Sequence, residues 1–214
     1  MPELFYNTGT PLLIYILRRC MACEPLAAFR LVGGTALSLQ RGHRQSFDID
    51  LFTDSPYQSI DFDAIDNWFR NTFPYVQTAE VLPIGMGKPY FIGDDPTANI
   101  KLDLYYTDEF MDQPITIDGI RLAGINDIIA MKLDVISRGG RKKDFWDIHE
   151  LLEDHSLDKM VELHKKRYPY THDGDQLLNK LSYFHLADND FNPRCLKGKH
   201  WELIKLDLLE ALQA

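Results

Sequence analysis

Hydrophobic and polar residues alternate cleanly in two stretches of the chain and recur at helical spacing in most of the others. In Asn99-Ile100-Lys101-Leu102-Asp103-Leu104-Tyr105, one face collects Ile100, Leu102 and Leu104, and the other collects Lys101, Asp103 and Tyr105. That is a strand with one face turned to the core. Phe47-Asp48-Ile49-Asp50-Leu51-Phe52 alternates in the same way, with Ile49 and Leu51 on one face and Asp48 and Asp50 on the other. Further strands are expected over residues 29–32, 75–84, 89–92, 115–117 and 120–122. The last two flank Asp118-Gly119, a two-residue hairpin signal.

The helical segments carry their own start and stop signals. Thr10-Pro11 before Leu12-Leu13-Ile14-Tyr15-Ile16-Leu17 is a cap followed by proline at the first helical position, and predicts a helix to about residue 23. Gly33-Gly34 leads into a short helix opening at Thr35 and closed by Gly42-His43. Asp61 can cap a helix over 62–73, with Phe62, Ile65 and Phe69 on its buried stripe. From Asn126 the pattern is helical, over 126–137, 141–153, 157–167, 175–184 and 201–212, with a loop at 189–199. The expected outline is an α/β (α+β) chain: a front half with a mixed sheet, residues 1–124, then a helical region, residues 125–214.

Two features of this outline carry chemistry. Asp48 and Asp50 put two carboxylates side by side on one strand face. Such a pair persists cheaply only in full solvent or with a cation between its members, and the apolar neighbours favour the cation. Arg30-Leu31-Val32 ends as a strand, Gly33-Gly34 lets backbone approach a ligand closely, and the helix that follows presents unpaired N–H groups to an anion. Hydroxyls at Thr35 and Ser46 can donate to phosphate oxygens, although Thr35 is equally suited to cap its helix.

Gly33-Gly34, a short helix, then Asp48-x-Asp50 resembles the signature of the polymerase-β-like nucleotidyltransferases. The fuller string, Val32-Gly33-Gly34-Thr35-Ala36-Leu37 with Arg44-x-Ser46-x-Asp48-Ile49-Asp50-Leu51-Phe52, resembles the AbiEii/AbiGii toxin-type branch. The resemblance implies a polymerase-β-like core and transfer of NMP from an NTP to an acceptor, either an RNA end or a protein hydroxyl. It also implies the toxin component of a toxin–antitoxin or phage-defence pair, with a cognate antitoxin as partner. Its third acid falls on Asp103, in an apolar-Asp-apolar strand. If that strand lies beside the Asp48/Asp50 strand, three acids can hold two Mg²⁺ ions; otherwise Asp103 pairs with Lys101 or an arginine.

Lys132 sits on the apolar stripe formed by Ile125, Ile128, Ile129 and Ile136, so its ammonium must reach an anion or extend to water. Two partners are available, a triphosphate and Asp144 on the next helix. The resemblance favours the triphosphate, because toxin-type members carry a phosphate-contacting lysine here, followed by a basic-Asp-aromatic-x-Asp motif. In this chain that motif is Arg141-Lys142-Lys143-Asp144-Phe145-Trp146-Asp147-Ile148, and Asp144, Asp147 and Leu151 share a helical face. Asp144 is placed either to hold Lys132 or to contact the nucleotide. Arg44 either meets a phosphate or is solvated, and His43 belongs to a loop.

Composition narrows the partners. The formal net charge of −9 weighs against a broad nucleic-acid surface. An RNA acceptor would then enter over a local basic strip, either 138–143 or His164-Lys165-Lys166-Arg167. A cationic small molecule, as in antibiotic nucleotidyltransferases, would suit the acidity, and an inactive nucleotide-binding partner protein is a third reading. Cys20-x-x-Cys23 has no second pair or nearby histidine and reads as two small core residues at helical spacing. No apolar run is long enough to span a bilayer, and no signal peptide opens at Met1, so the expected location is cytoplasmic.

Overall fold

The computed structural model describes residues 3–79 and 85–213. Its strands are β1 (Arg30–Leu31), β2 (Ile49–Thr53), β3 (Tyr75–Thr78), β4 (Gly87–Gly93), β5 (Asn99–Tyr106), β6 (Ile115–Ile117) and β7 (Ile120–Leu122). They form a seven-stranded mixed sheet in the order β3-β4-β5-β2-β1-β7-β6. At its centre β2 runs parallel to β5, with Ile49 opposite Leu102, Asp50 opposite Asp103 and Leu51 opposite Leu104. Strand β1 pairs antiparallel with β2 and parallel with β7. The alternation seen in the sequence is realised here: Ile49, Leu51, Ile100, Leu102 and Leu104 are buried, while Asp50, Lys101 and Asp103 lie on the other face.

Two helices flank the site-bearing strands. Helix α1 (Pro11–Met21) starts where the Thr10 hydroxyl accepts a hydrogen bond from the Leu13 N–H at 3.1 Å, with proline in its first turn. It buries Leu13, Ile16, Leu17 and Cys20. Cys20 and Cys23 are both free and buried, and burial pushes the Cys20 thiol far above its ordinary value, as befits inert core residues. Helix α2 (Gly33–Arg41) starts two residues earlier than expected, directly at the glycine pair, and closes on Gly42 in the left-handed conformation. Helix α3 (Phe62–Thr72) follows; the Asp61 side chain accepts from the Ala64 N–H, and Phe62, Ile65 and Phe69 turn inward.

The later helices are α4 (Ile125–Ser137), α5 (Lys142–Leu151), α6 (Leu157–Arg167), α7 (Gly174–Leu181), the short α8 (His185–Asp188) and α9 (Trp201–Ala211). Helix α4 is the hub of this half and packs against α2, α5, α6 and α7. One continuous buried cluster runs from Leu13 of α1 through the sheet to Leu208 of α9. No helix among the described residues is long and apolar enough to cross a membrane.

Boundaries moved where backbone hydrogen bonds found other partners. The strand expected from residue 47 begins at Ile49, because the preceding chain is tied elsewhere: the Gln45 N–H donates to the Arg194 carbonyl and the Ser46 N–H to the Thr8 carbonyl. Of the strand expected over 75–84, the part to Thr78 forms β3, and residues 80–84 lie outside those described. The helix expected over 175–184 stops at Leu181.

A buried ion pair joins the sheet to the helices. Asp127 of α4, fully buried, accepts hydrogen bonds from the N–H groups of Met111 (2.9 Å) and Asp112 (3.1 Å) and from Arg167 of α6 (2.7 Å). Arg167 also donates to the carbonyls of Asp108 and Glu109. Removing one partner of such a set leaves an unpaired charge inside the protein. Asp127→Ala should therefore lower unfolding stability by about 3–5 kcal/mol, read by urea denaturation. A loss well below about 1 kcal/mol would show that this staple does not hold the two halves together.

Candidate functional site

The glycine pair and the β2–β5 register bring two carboxylates under one turn. Gly33 adopts a left-handed backbone, φ +66°, and a Cβ there would sit 2.7 Å from the Asp50 carboxylate oxygen Oδ2. Backbone thus lies directly against Asp50, and only glycine permits it. Asp50 stands in register with Asp103. Burial, then the neighbouring Asp103 and Asp48 carboxylates, raise the Asp50 pKa to about 6. Asp103 pairs through one oxygen with Lys101, and its other oxygen, Oδ1, is buried without a hydrogen-bond partner among the described residues. Asp48 lies just before β2, more exposed, with the Lys143 ammonium 3.7 Å away.

Among the described residues, no three His, Cys, Asp or Glu side chains are already gathered as a metal shell. The donor set nevertheless suits a hard cation. It offers carboxylate oxygens, one of them buried and unpartnered among the described residues, and a divalent ion would relieve the repulsion that, after burial, raises Asp50.

Behind this cluster lies a buried charge network centred on Asp147. Its Oδ1 accepts from His43 Nε2 at 2.8 Å and Arg44 Nε at 2.6 Å; its Oδ2 accepts from Arg44 Nη2 at 2.7 Å and lies 2.7 Å from the Lys132 ammonium. Lys132 also donates to Asp144 Oδ1 at 2.7 Å, while Asp144 Oδ2 accepts from the Arg141 N–H at 2.9 Å and so closes the first turn of α5. Burial alone would raise the Asp147 carboxyl, but Arg44, Lys132 and the His43 hydrogen bond outweigh it and hold it well below the usual carboxylate range. Burial would likewise lower Lys132, and Asp147 with Asp144 reverse that, so its pKa is raised.

This geometry corrects several expectations. Arg44 is neither solvated nor free for a phosphate: it is buried, holds Asp147 through two nitrogens, and abuts Gly34 so closely that a Cβ there would strike its guanidinium. His43 is in a loop, as expected, with its side chain fully buried. Thr35 does not cap α2; Val32 occupies that place without a side-chain bond. The Thr35 hydroxyl instead meets the Asp48 carbonyl and lies 2.8 Å from Ser46 Oγ. With one proton, it donates to the carbonyl and accepts from Ser46, so these two hydroxyls brace the approach to Asp48. The basic run 138–143 divides. Arg138, Arg141 and Lys143 line the cleft, whereas Lys142 is buried against Asn192 and the Trp201 ring. In the second run, His164 and Arg167 are buried.

The cleft itself holds about 620 Å³, within the roughly 300–1,000 Å³ range of small-ligand pockets. Its lining takes Gly33, Gly34, Asp50 and Phe52 from the start of α2 and from β2, and Lys132, Arg138, Arg141, Lys143 and Asp144 from α4, α5 and the turn between them. Asp48 and Asp103 are outside its immediate lining. The role of Asp147 was the signal missed in the sequence, although its place one turn beyond Asp144 on the same helical face points to it.

Asp50 sets a pH dependence. The folded chain binds its proton more tightly than the unfolded chain, with a pKa of about 6 against an ordinary value of 3.8. The resulting stability is complete below the unfolded pKa and is lost as pH rises through about 6. Asp50→Asn, which removes the charge, should melt above the parent at pH 8, by about 3 kcal/mol at most, and the gain should shrink toward pH 4. A variant that melts below the parent at pH 8 would show that Asp50 is not under this strain.

Comparison with known proteins agrees with this arrangement. The family model described as nucleotidyl transferase AbiEii toxin, type IV toxin–antitoxin system, matches residues 15–214. The uncharacterized protein aq_aa25 of Aquifex aeolicus (strain VF5) is 34% identical over 164 residues, 73% of either chain. Among solved structures, JHP933 from Helicobacter pylori is similar in fold, with a TM-score of 0.56 at 19% identity, over 93% of this chain and 88% of that one. MenT4, a nucleotidyltransferase toxin from Mycobacterium tuberculosis H37Rv, gives a TM-score of 0.57 at 12% identity, over 92% of this chain and 83% of that one. The mixed sheet, the glycine turn over Asp50 and the match along nearly the whole chain lead to one assignment: this chain belongs to the AbiEii nucleotidyltransferase toxin family of type IV toxin–antitoxin systems.

Proposed function

We propose that the cleft binds an NTP and transfers its NMP to an acceptor hydroxyl, an RNA end or a protein side chain, releasing pyrophosphate. The observation that carries this reading is the in-register pair Asp50 and Asp103 with the Gly33-Gly34 turn laid directly over Asp50. The turn and the start of α2 offer backbone N–H groups to phosphate oxygens. Lys132, fixed by Asp144 and Asp147, contributes one positive charge whose position does not depend on the ligand. Asp48, Asp50 and Asp103 are the residues that would hold two Mg²⁺ ions, which when bound supply Lewis-acid activation of the acceptor oxygen and offset charge on the α-phosphate. The catalytic set on this reading is Asp48, Asp50 and Asp103, with Lys132 in electrostatic support, and Gly33, Gly34 and Asp144 frame the nucleotide. Thr35 and Ser46 serve it by fixing the Asp48 backbone.

An RNA acceptor is the favoured one, because Arg138 and Arg141 stand at the cleft of a chain that is otherwise acidic. Such an enzyme would act in the cytoplasm and be restrained there by a cognate antitoxin, as family membership suggests.

The direct test incubates the protein with each α-labelled NTP, Mg²⁺ and either total RNA or lysate. Label should enter RNA, chelation should stop it, and Asp50→Ala should reduce transfer by several orders of magnitude, as expected when an essential metal ligand is lost. Label in no acceptor with any of the four NTPs would refute the proposal.

The RNA acceptor is tested separately at the cleft mouth. Arg138→Glu with Arg141→Glu should abolish RNA labelling while NTP binding survives, and residual RNA affinity should fall less steeply with salt. Lys142 is left intact in this test because it is buried. Undiminished RNA labelling in the double variant would rule out this entrance, and protein labelling in its place would identify a protein acceptor.

A further inference from the structure

Two members of the acid cluster are already paired with lysines of the same chain. Lys101 meets Asp103, and Lys143 stands 3.7 Å from Asp48. Lys143 also lines the cleft, whereas Lys101 does not. The cleft's other lysine, Lys132, is held at 2.7 Å by each of two buried carboxylates. Releasing it would strip buried Asp144 of its cation and leave Asp147 to Arg44 and His43, so Lys132 is held firmly in place. The Lys143–Asp48 contact is of a different kind. Its side chains are 35% and 44% exposed and its distance is long, so little holds it in place. Lys143 occupies the second position of α5, beyond the Arg141 cap, and carries four flexible methylenes. Arg141 is itself turned away from the acids, toward Asp190 at 3.2 Å.

Resting on the reading of the cleft as a nucleotide site, we propose that Lys143 is its exchangeable cation: it neutralises Asp48 while the cleft is empty and transfers its ammonium to the triphosphate when an NTP enters. The phosphate-contacting lysine is then Lys143, and Lys132 is the fixed charge behind it. Lys143 and a divalent ion compete for Asp48, while Lys143 and the triphosphate attract each other. Deleting this one charge must therefore move two affinities in opposite directions. Lys101 competes at Asp103 in the same way but has no path to the phosphates from outside the cleft lining.

The experiment measures binding of Mn²⁺ alone, by electron paramagnetic resonance, and of inorganic triphosphate and each of the four NTPs, by calorimetry. The proteins are the parent, Lys143→Gln, Lys143→Arg and Lys101→Gln. Lys143→Gln should bind Mn²⁺ about 3- to 10-fold more tightly and triphosphate about 10-fold more weakly. Lys143→Arg, which keeps the charge, should restore both. Lys101→Gln should tighten Mn²⁺ and leave triphosphate unchanged. Lys143→Gln affinities equal to the parent's, or both weakened together, overturn the exchange, as does an equal loss of triphosphate binding in Lys101→Gln. A parent protein that binds neither Mn²⁺ nor any of these phosphates refutes the nucleotide site itself, and this proposal with it.

Discussion

A single buried carboxylate, Asp147, holds the candidate site together. It joins three separate pieces of chain: the loop carrying His43 and Arg44, helix α4 through Lys132, and its own helix α5. With Asp144 added, two cations face two carboxylates in the interior, and every oxygen of both acids is engaged. A network of this kind contributes little over an apolar core when complete, yet costs about 3–5 kcal/mol when one member is removed. Its value is positional. Arg44 underlies Gly34, so the network also fixes the turn that lies over Asp50.

The site therefore contains two electrostatic regimes a short way apart. Behind the cleft, charges are matched, buried and immobile. At Asp50 of its lining, with Asp103 just outside that lining, carboxylates crowd each other: Asp50 is raised to about 6, and one Asp103 oxygen has no partner among the described residues. The fold thus supports a crowded, only partly neutralised set of carboxylates at one place by balancing all charge at the next. A folded protein retains such a strained cluster where function requires it.

Much of this was readable from the residues. Period-two alternation gave the faces of β2 and β5, and the carboxylate pair on one face followed from it. The glycine pair marked a turn, and Lys132 on an apolar stripe announced a buried ammonium in need of an anion. What stayed hidden depended on contacts distant in sequence. Arg44 and Asp147 are 103 residues apart, so no local periodicity distinguishes a clamped arginine from a solvated one. The run Arg141-Lys142-Lys143 reads as one basic patch, but adjacent positions on a helix point about 100° apart, so Lys142 turns onto Trp201 while Lys143 turns into the cleft. Likewise, the strand start moved to Ile49 only because Gln45 and Ser46 give their N–H groups to Arg194 and Thr8.

The most direct test of the site is a crystal of the protein with Mn²⁺ and a non-hydrolysable NTP analogue, examined by anomalous scattering at the manganese edge. The expected result is an anomalous peak within coordination distance of the Asp50 and Asp103 carboxylates, with the triphosphate lying over Gly33 and Gly34. A peak away from these two acids, or a nucleotide bound outside the cleft, would contradict the assignment.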